Sequence, residues 1–361
     1  MQNTMNNIGP AGLFSFGRKK MKFVSKSTLL GAVSLAAASF AVPAQAADIT
    51  LNFAHVDPAE WTTSKKGAAT QVFKNIVEAE SGGRIEVQLF PAGSLGGETD
   101  LLQNTQDGTL AMSMISGPFS KVCPEASVLD IPYMFPNANV AWKVLDGDFG
   151  KQLAEHCLEK TGLRTLAYGE TGFRNFTNSK RAIAEPKDME GLKIRVMTVP
   201  LFVEMVKALG GDPTPIPWPE VPTALTTGTV DGQENPISVI YANKFYEMQK
   251  YLTLDRHVYG TDFILINESV YQGLSEGDQA LLRRAAGIAS NVGRAVQQFN
   301  SAEGVAKLAA EGMEVTTPTA EQLKAFRDVA QPAVINWLSG EIGSEWIEKL
   351  QSAVGEAEAS M

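Results

Sequence analysis

Histidine and cysteine are scarce in this chain of 361 residues, which has three histidines and two cysteines. The histidines stand far apart and form no HExxH pair, and Cys123 and Cys157 lack the CxxC spacing of thiol redox or zinc sites. We therefore predict no metal site and no cofactor. The two cysteines form either one disulfide in an oxidising compartment or two buried thiols, and the sequence leaves both open.

The motifs of common enzyme classes are also missing. The chain has no GxSxG nucleophile elbow, no kinase motif set and no local cysteine–histidine pair. The glycine-rich stretch 93–98 lacks the spacing of dinucleotide-binding and P-loop motifs, so it predicts only a turn between a strand and a helix. Catalytic groups do assemble from distant segments. On balance the absence favours a binding protein over an enzyme.

Positive charge is in short supply outside the N-terminus. The chain has 31 basic and 40 acidic residues, and five of the basic residues lie within residues 1–47, which hold no acidic residue. The rest of the chain is therefore strongly acidic. We predict no nucleic-acid binding, because phosphate contacts require clustered lysine and arginine. An anionic ligand would need a local arginine arrangement, since bulk charge would repel it.

Long apolar runs are absent except near the start of the chain. There a basic segment precedes the apolar stretch from Leu29 to Val42, which ends in the small-residue run 43–47. This order is typical of a secretory signal peptide, and the stretch is shorter than the ~20 apolar residues of a membrane span. We predict export to the periplasm, with Met21 as an alternative start and cleavage after Ala46 or Ala47.

Strand and helix patterns alternate through the first part of the mature chain. Apolar–polar alternation predicts strands at 49–54, 85–89 and 110–115, and helical periodicity predicts helices at 64–79 and 101–106. This rhythm indicates an α/β fold with a largely parallel sheet. A mature length of a little over 300 residues exceeds a typical single core and favours two domains.

The second part of the chain has more irregular patterns. We predict a helix around 140–160, strands at 163–168, 173–177, 191–197 and 263–266, and a short helix at 201–209. Four prolines within 212–219 argue against a central strand or helix there, and the composition of 231–236 predicts a turn. Residues 275–310 are expected to be mostly helical, with interruptions at Gly287, Gly293 and Gly304.

Arg195 is the main candidate for binding an anion. In the predicted strand it shares a face with Lys193 and Met197, near the C-terminal end where open α/β sheets place ligands. Its guanidinium can hold a carboxylate by two parallel hydrogen bonds. The alternative is a solvated arginine paired with a glutamate, which the strand pattern alone favours.

Two other polar residues are candidates for ligand contacts. Arg174, between two phenylalanines, is either a second anion contact or an edge residue that extends its charge to water. Asn235, just before Pro236, can offer its amide to a ligand or bond its own turn.

Five blocks of sequence carry a family resemblance. They are FPAGSLG at 90–96, LDIPYMF at 129–135, GFRNFTN at 172–178, PKDMEGLKIRV at 186–196, and the segment 220–236 with Glu220 and GTVDGQENP. In this order they resemble the solute-binding subunit of TRAP (tripartite ATP-independent periplasmic) transporters. The resemblance covers essentially the whole mature chain.

The resemblance implies an α/β, two-lobed periplasmic-binding-protein fold, type II-like, with a hinge and a long connecting helix. After the N-terminal extension and signal peptide at 1–47, we expect lobe I to hold 48–171 and about 261–300. Lobe II is expected to hold 172–260 and about 301–361. The ligand cleft would lie between them.

The resemblance also implies roles for particular residues. Arg195 matches the family's carboxylate-binding arginine, Arg174 its second arginine and Asn235 its ligand-contacting asparagine. Glu98 matches a position that contacts hydroxyls or amines. Two departures blur the ligand's identity: Pro222 replaces a usual aromatic residue, and Trp218, which we count among the ligand-binding residues, is a local variation.

The sequence thus predicts a monomeric periplasmic binding protein that captures a small organic acid and delivers it to a TRAP-type membrane permease. A sugar acid such as a hexuronate is favoured, because Glu98, Asn235 and Arg174 together offer hydroxyl and carboxylate contacts. C4-dicarboxylates and aromatic or keto acids stay open. The alternatives are a periplasmic lyase or hydrolase acting on such acids, and a ligand-sensing partner of a membrane receptor.

Overall fold

The computed structural model describes residues 47–361. The N-terminal extension, the signal peptide and its cleavage position, predicted for residues 1–47, lie outside that range except for Ala47 itself. Among the described residues, no helix is both long and apolar enough to cross a membrane.

The described chain alternates strands and helices. The strands are β1 (Ile49–Ala54), β2 (Ile85–Phe90), β3 (Met112–Ile115), β4 (Leu163–Asn178), β5 (Lys193–Val196), β6 (Asp212–Pro215), β7 (Gly232–Pro236), β8 (Tyr251–Asn267) and β9 (Glu314–Thr316). The helices are α1 (Lys65–Glu80), α2 (Glu98–Gln106), α3 (Ala138–Asp146), α4 (Asp148–Thr161), α5 (Pro200–Ala208), α6 (Val221–Thr226), α7 (Ile237–Ala242), α8 (Glu268–Gln272), α9 (Glu276–Ala310), α10 (Ala320–Ile342) and α11 (Glu345–Ala359). Short 3₁₀ helices lie at Gly117–Lys121, Pro124–Asp130, Pro186–Met189, Trp218–Glu220 and Phe245–Glu247.

One mixed sheet holds these strands in the order β2-β1-β3-β8-β4-β7-β5-β6, and β9 pairs with β8. We call β1–β3 the first half of the sheet and β5–β7 the second half. Within each half the neighbouring strands are parallel, as the sequence predicts. The long strands β4 and β8 are antiparallel to each other and pair along their whole length. They therefore run through both halves and join them.

Residues 163–178 form one strand, where two separate strands are expected from the sequence. Irregularities in the pairing with β8 fall between Thr165 and Ala167, Glu170 and Gly172, and Arg174 and Phe176. Each extra residue shifts the side-chain alternation to the other face. The alternation of apolar and polar residues is therefore interrupted, and the sequence pattern does not show that the strand is continuous. At one of them Gly172 adopts φ of 104°, a conformation that favours glycine.

The turn predicted at 231–236 is wrong. Residues 232–236 form the buried strand β7, paired with β4 on one side and β5 on the other. Because both neighbours satisfy its backbone, pairing outweighs the turn-favouring composition. Pro236 is the last residue of the strand. A proline has no N–H to donate to a neighbouring strand, so it is tolerated best at a position where that bond is not needed.

Helix α9 runs without a break from residue 276 to 310, so the predicted interruptions are wrong. It packs against α1 beside the first half of the sheet and against α7 beside the second. A Cβ atom on Gly293 would lie 3.1 Å from the Lys65 carbonyl oxygen, and one on Gly304 would lie 2.4 Å from Ile237 Cγ2. These two glycines let neighbouring helices approach closely.

The glycines of α9 provide a test of this packing. Gly304→Ala should lower the free energy of unfolding by about 1–3 kcal/mol, because the added methyl group overpacks against Ile237. Gly287→Ala, in the same helix, should raise it by roughly 0.5–1 kcal/mol, since a Cβ there meets no atom within 4 Å. Urea unfolding of the two variants measures both. Equal effects of the two changes would contradict the packing argument.

Three hydrophobic clusters lie among the described residues. One packs the first half of the sheet on α1 and α9, one surrounds α6 and α7, and the largest joins α3, α4, α5, α10 and α11. Cys123 and Cys157, both in the largest cluster, form a disulfide, which settles the alternative that the sequence leaves open.

Candidate functional site

A cavity of about 290 Å³ opens between the two halves of the sheet. All five residues predicted to contact a ligand line it: Glu98, Arg174, Arg195, Trp218 and Asn235. They come from α2, β4, β5, the 3₁₀ helix 218–220 and β7. Its volume is near the lower end of ordinary ligand pockets, which suits a solute of a few carbon atoms.

Arg195 is a buried cation that has no carboxylate partner within residues 47–361. Its side chain is 2% exposed, and Nε and Nη2 both donate to the Ile216 carbonyl oxygen, at 2.9 and 2.6 Å. Its Nη1 is buried and has no hydrogen-bond partner among the described residues. Burial lowers the pKa of Arg195 to about 10, so it stays charged at neutral pH. An unpaired buried charge is costly, and an anion in the cavity would offset that cost.

Arg174 is held by its own glutamate. On the neighbouring strand β7, the Glu234 carboxylate accepts from Nε and, at 2.8 Å, from Nη2 of Arg174. The same Nη2 also donates to the Glu234 carbonyl oxygen at 2.7 Å. The positive charge of Arg174 is thus balanced within the protein. Of its donors, Nη1 is the one that these bonds leave for the cavity.

Behind Arg174, His257 extends this ion pair. Its Nδ1 lies 2.7 Å from Asp255 Oδ2, its Nε2 lies 3.3 Å from Glu234 Oε2, and its ring stacks on Phe176 with centroids 4.2 Å apart. Burial alone would lower the pKa of His257, but the two carboxylates raise it to about 9. Burial likewise opposes ionisation of Glu234, yet Arg174 and His257 hold its pKa at about 2. At neutral pH the four groups form a balanced chain of alternating charge.

This chain predicts a pH dependence of stability. The pKa of His257 is raised on folding, so its contribution is fully present below about 6.5 and is lost as pH rises through about 9. The stability deficit of His257→Gln relative to the native chain should therefore shrink by about 1.5 kcal/mol between pH 7.5 and pH 9. Urea unfolding at the two pH values measures it. A deficit that stays constant would show that His257 is neutral in the folded protein.

On the first-half side of the cavity lies a dense group of charges. Glu98, the first residue of α2, accepts from Lys66 Nζ at 2.5 Å and from Ser116 N at 3.1 Å and Oγ at 2.6 Å. Lys66 Nζ is also 3.2 Å from Asp262 Oδ1, and Lys65 Nζ is 2.7 Å from Asp57 Oδ2.

Of this group of charges, Glu98 alone is identified from the sequence. Its members come from β1's loop, α1, α2 and β8, so no local motif unites them. The one available sign is the adjacent pair of lysines at the start of α1, both of which are buried. Burial opposes ionisation of Asp57, but the two lysines hold its pKa at about 2.

Asn235 and Trp218 complete the second-half side. The Asn235 amide donates to Gln233 Oε1 at 2.6 Å, so the predicted bond within its own segment is present although the segment is a strand. Trp218 lies with its ring centroid 5.7 Å from the Arg195 guanidinium and 5.8 Å from the Phe245 ring. The glycine-rich turn packs against Pro219, the residue that follows Trp218, since a Cβ on Gly97 would lie 3.6 Å from Pro219 Cδ. Turn and proline segment together wall one side of the cavity.

Within residues 47–361, one grouping of side chains has the spacing of a metal site: Cys123, Glu125 and His156. Its cysteine belongs to the disulfide and offers no thiolate. The grouping is also absent from the lining of the cavity.

Comparisons with known proteins identify the family of this chain. Residues 53–339 match the family of bacterial extracellular solute-binding proteins, family 7, also called DctP. A solute-binding protein of Verminephrobacter eiseniae is 39% identical over 292 residues, which are 80% of this chain and 86% of that protein.

Solved structures extend the likeness to the fold. A TRAP periplasmic solute-binding protein from Polaromonas, bound to D-erythronate, has 36% identity and a TM-score of 0.79 over 84% of this chain and 98% of its own. A sugar acid binding protein from Advenella mimigardefordensis, in complex with galactonate, has 33% identity and a TM-score of 0.81 over 85% and 98%. The two-lobed α/β fold and the solute-binding class expected from the sequence are confirmed. The chain belongs to family 7 of the bacterial extracellular solute-binding proteins.

Proposed function

We propose that this protein captures a small organic acid, with a sugar acid such as a hexuronate favoured, in the cavity between its lobes. The observation that carries the proposal is Arg195, a buried guanidinium that, in the part of the chain that the structure describes, has no carboxylate partner and an unbonded Nη1. Ile216 occupies the edge formed by Nε and Nη2, which leaves the edge formed by Nη1 and the second hydrogen of Nη2. Two parallel donors of this kind fit one carboxylate.

The rest of the lining supports hydroxyl-bearing acids. Arg174 and Asn235 line the cavity from β4 and from β7, the strand next to that of Arg195, and we expect Glu98 and Ser116 to offer hydroxyl contacts from the first-half side. Trp218 supplies an apolar face against which a sugar carbon chain packs. The related structures bound to erythronate and galactonate, both polyhydroxy acids, support the same class.

We further propose that the protein works in the periplasm as a monomer. It binds without turnover, does not bind nucleic acid, and delivers its solute to a TRAP-type membrane permease. Lobe I would hold 48–171 and about 261–300, and lobe II 172–260 and about 301–361. Support comes from β4 and β8, which cross between the two halves of the sheet near residues 171 and 260.

Thermal unfolding with a panel of solutes tests the proposal. Hexuronates, aldonates, C4-dicarboxylates, keto acids and neutral sugars are each added in excess. A solute present at 100 times its dissociation constant should stabilise the protein by roughly 2.7 kcal/mol. We expect carboxylates to raise the melting temperature and neutral sugars to leave it unchanged. Stabilisation by neutral or cationic solutes alone would refute the proposal, and consumption of the bound acid, followed by NMR, would indicate an enzyme.

A further inference from the structure

Charge pairing around the cavity is uneven. Arg174 pairs with Glu234, Lys65 pairs with Asp57, and Lys66 lies between Glu98 and Asp262. Among the buried cations of the described cavity wall, Arg195 alone has no carboxylate within ion-pair distance. The second-half side therefore carries one uncompensated positive charge.

The first-half side carries the opposite imbalance. We call Asp57, Lys65, Lys66, Glu98 and Asp262 the acidic cluster, since it contains three carboxylates and two ammonium groups. Its side chains are between 0% and 13% exposed, so water screens them poorly. The acidic cluster thus has an excess of one negative charge. It lies on the side of the cavity opposite the strand of Arg195. In the sheet, β1 and β5 are separated by β3, β8, β4 and β7.

Other charged groups near the cavity do not reverse this polarity. Asp130 is buried close to Gly117, next to the lining residues Ser116 and Pro118. Burial raises the pKa of Asp130 to about 7, so above that pH it adds negative charge and no positive charge. Asp255, His257, Glu234 and Arg174 balance one another, as described above. At the exposed rim, Lys121 bonds Thr99 Oγ1 at 3.1 Å, and Asp100 accepts from the Gly97 backbone N–H. These two solvated groups have opposite signs and both line the cavity.

We infer that the cavity selects solutes with one carboxylate and discriminates against dicarboxylates of the same length. The inference rests on the proposed function and narrows its solute class. The single carboxylate would lie on Arg195, and hydroxyl groups at the other end would donate to the acidic cluster, where Asp57 Oδ1 and Glu98 Oε2 have acceptor capacity left. A second carboxylate would meet the excess negative charge in a poorly screened site.

Matched pairs of acids test the selection. Galactonate and galactarate share six carbons and four inner hydroxyls, and they differ only at the end that is CH₂OH or carboxylate. D-Erythronate and meso-tartrate form the same pair at four carbons. By isothermal titration calorimetry at pH 7.5, we expect the monocarboxylate to bind at least about tenfold tighter in each pair that binds. Equal or tighter binding of the dicarboxylate would overturn the inference and leave the proposed function intact. Failure of every carboxylate to bind would overturn both.

A variant of the cluster tests the cause. Asp57→Asn removes the excess negative charge, so the preference for the monocarboxylate should fall at least about fivefold. Asp107→Asn, an exposed change at the end of α2, is the control and should leave the preference unchanged. Circular dichroism and melting temperature confirm that both variants fold. If folded Asp57→Asn keeps the native preference, the acidic cluster does not set it.

Discussion

Lysine in place of Arg195 should weaken carboxylate binding by two to three orders of magnitude, about 3–4 kcal/mol. The native guanidinium bonds Ile216 and still presents a second edge to the cavity. A lysine ammonium has three donors at one point, so it cannot hold the Ile216 carbonyl and a carboxylate in the same planar arrangement. An ammonium group is also more strongly hydrated in water than a guanidinium, so burying its charge costs more free energy.

Calorimetric titration of Arg195→Lys with the tightest acid found for the native protein measures this loss. Arg327→Lys, on the exposed surface of α10, is the matched control and should bind normally. The melting temperatures without solute show whether either change affects the fold. An affinity within about fivefold of the native value would place the carboxylate on another residue, with the free donor of Arg174 as the next candidate.

Alanine in place of Glu234 should reduce the free energy of unfolding by about 3–5 kcal/mol. The change leaves Arg174 and His257 as buried positive groups, with Asp255 the one remaining carboxylate in the chain of alternating charge. Both groups lie at or below 2% exposure, so water cannot replace the lost partner. Arg174 would also lose the contacts that fix its orientation toward the cavity.

Urea unfolding compares this change with Glu303→Ala. Glu303 forms an exposed pair with Lys307 in α9, where the expected loss is below about 1 kcal/mol. The contrast between buried and exposed pairs is thus measured within one protein. Similar losses at the two positions would mean that the buried network contributes no more than a surface ion pair.

The sequence predicts the elements of the first half of the sheet well, because their patterns are local. Residues 49–54 and 85–89 alternate cleanly, and both form parallel strands close to the expected limits. At 163–178 and 232–236 the local sequence pattern predicts the wrong structure, because pairing with distant strands determines the conformation. There, irregular pairing breaks the alternation of β4, and flanking strands turn a segment of turn-favouring composition into β7.

The candidate site shows the same division. Arg195, Arg174 and Asn235 lie in blocks of contiguous sequence with a family resemblance, and the structure brings them to one cavity. Other charged groups of the site come from elsewhere: His257, which bonds Glu234, from β8, and Lys65 and Lys66, which pair with Asp57 and Glu98, from α1. Spacing along the chain says nothing about a contact between residues 66 and 98, so the acidic cluster appears only in three dimensions.

The pairing of β3 has a consequence for synthesis of the protein. Met112 pairs with Ile266, about 150 residues later, and β8 is the strand that covers this side of β3. Until the ribosome has synthesised the intervening residues, this edge of β3 stays unpaired. Unpaired strand edges promote association with other chains. Closing so long a loop also delays folding. The sheet can thus be completed only after most of the chain has been made, which favours transport of the chain before it folds.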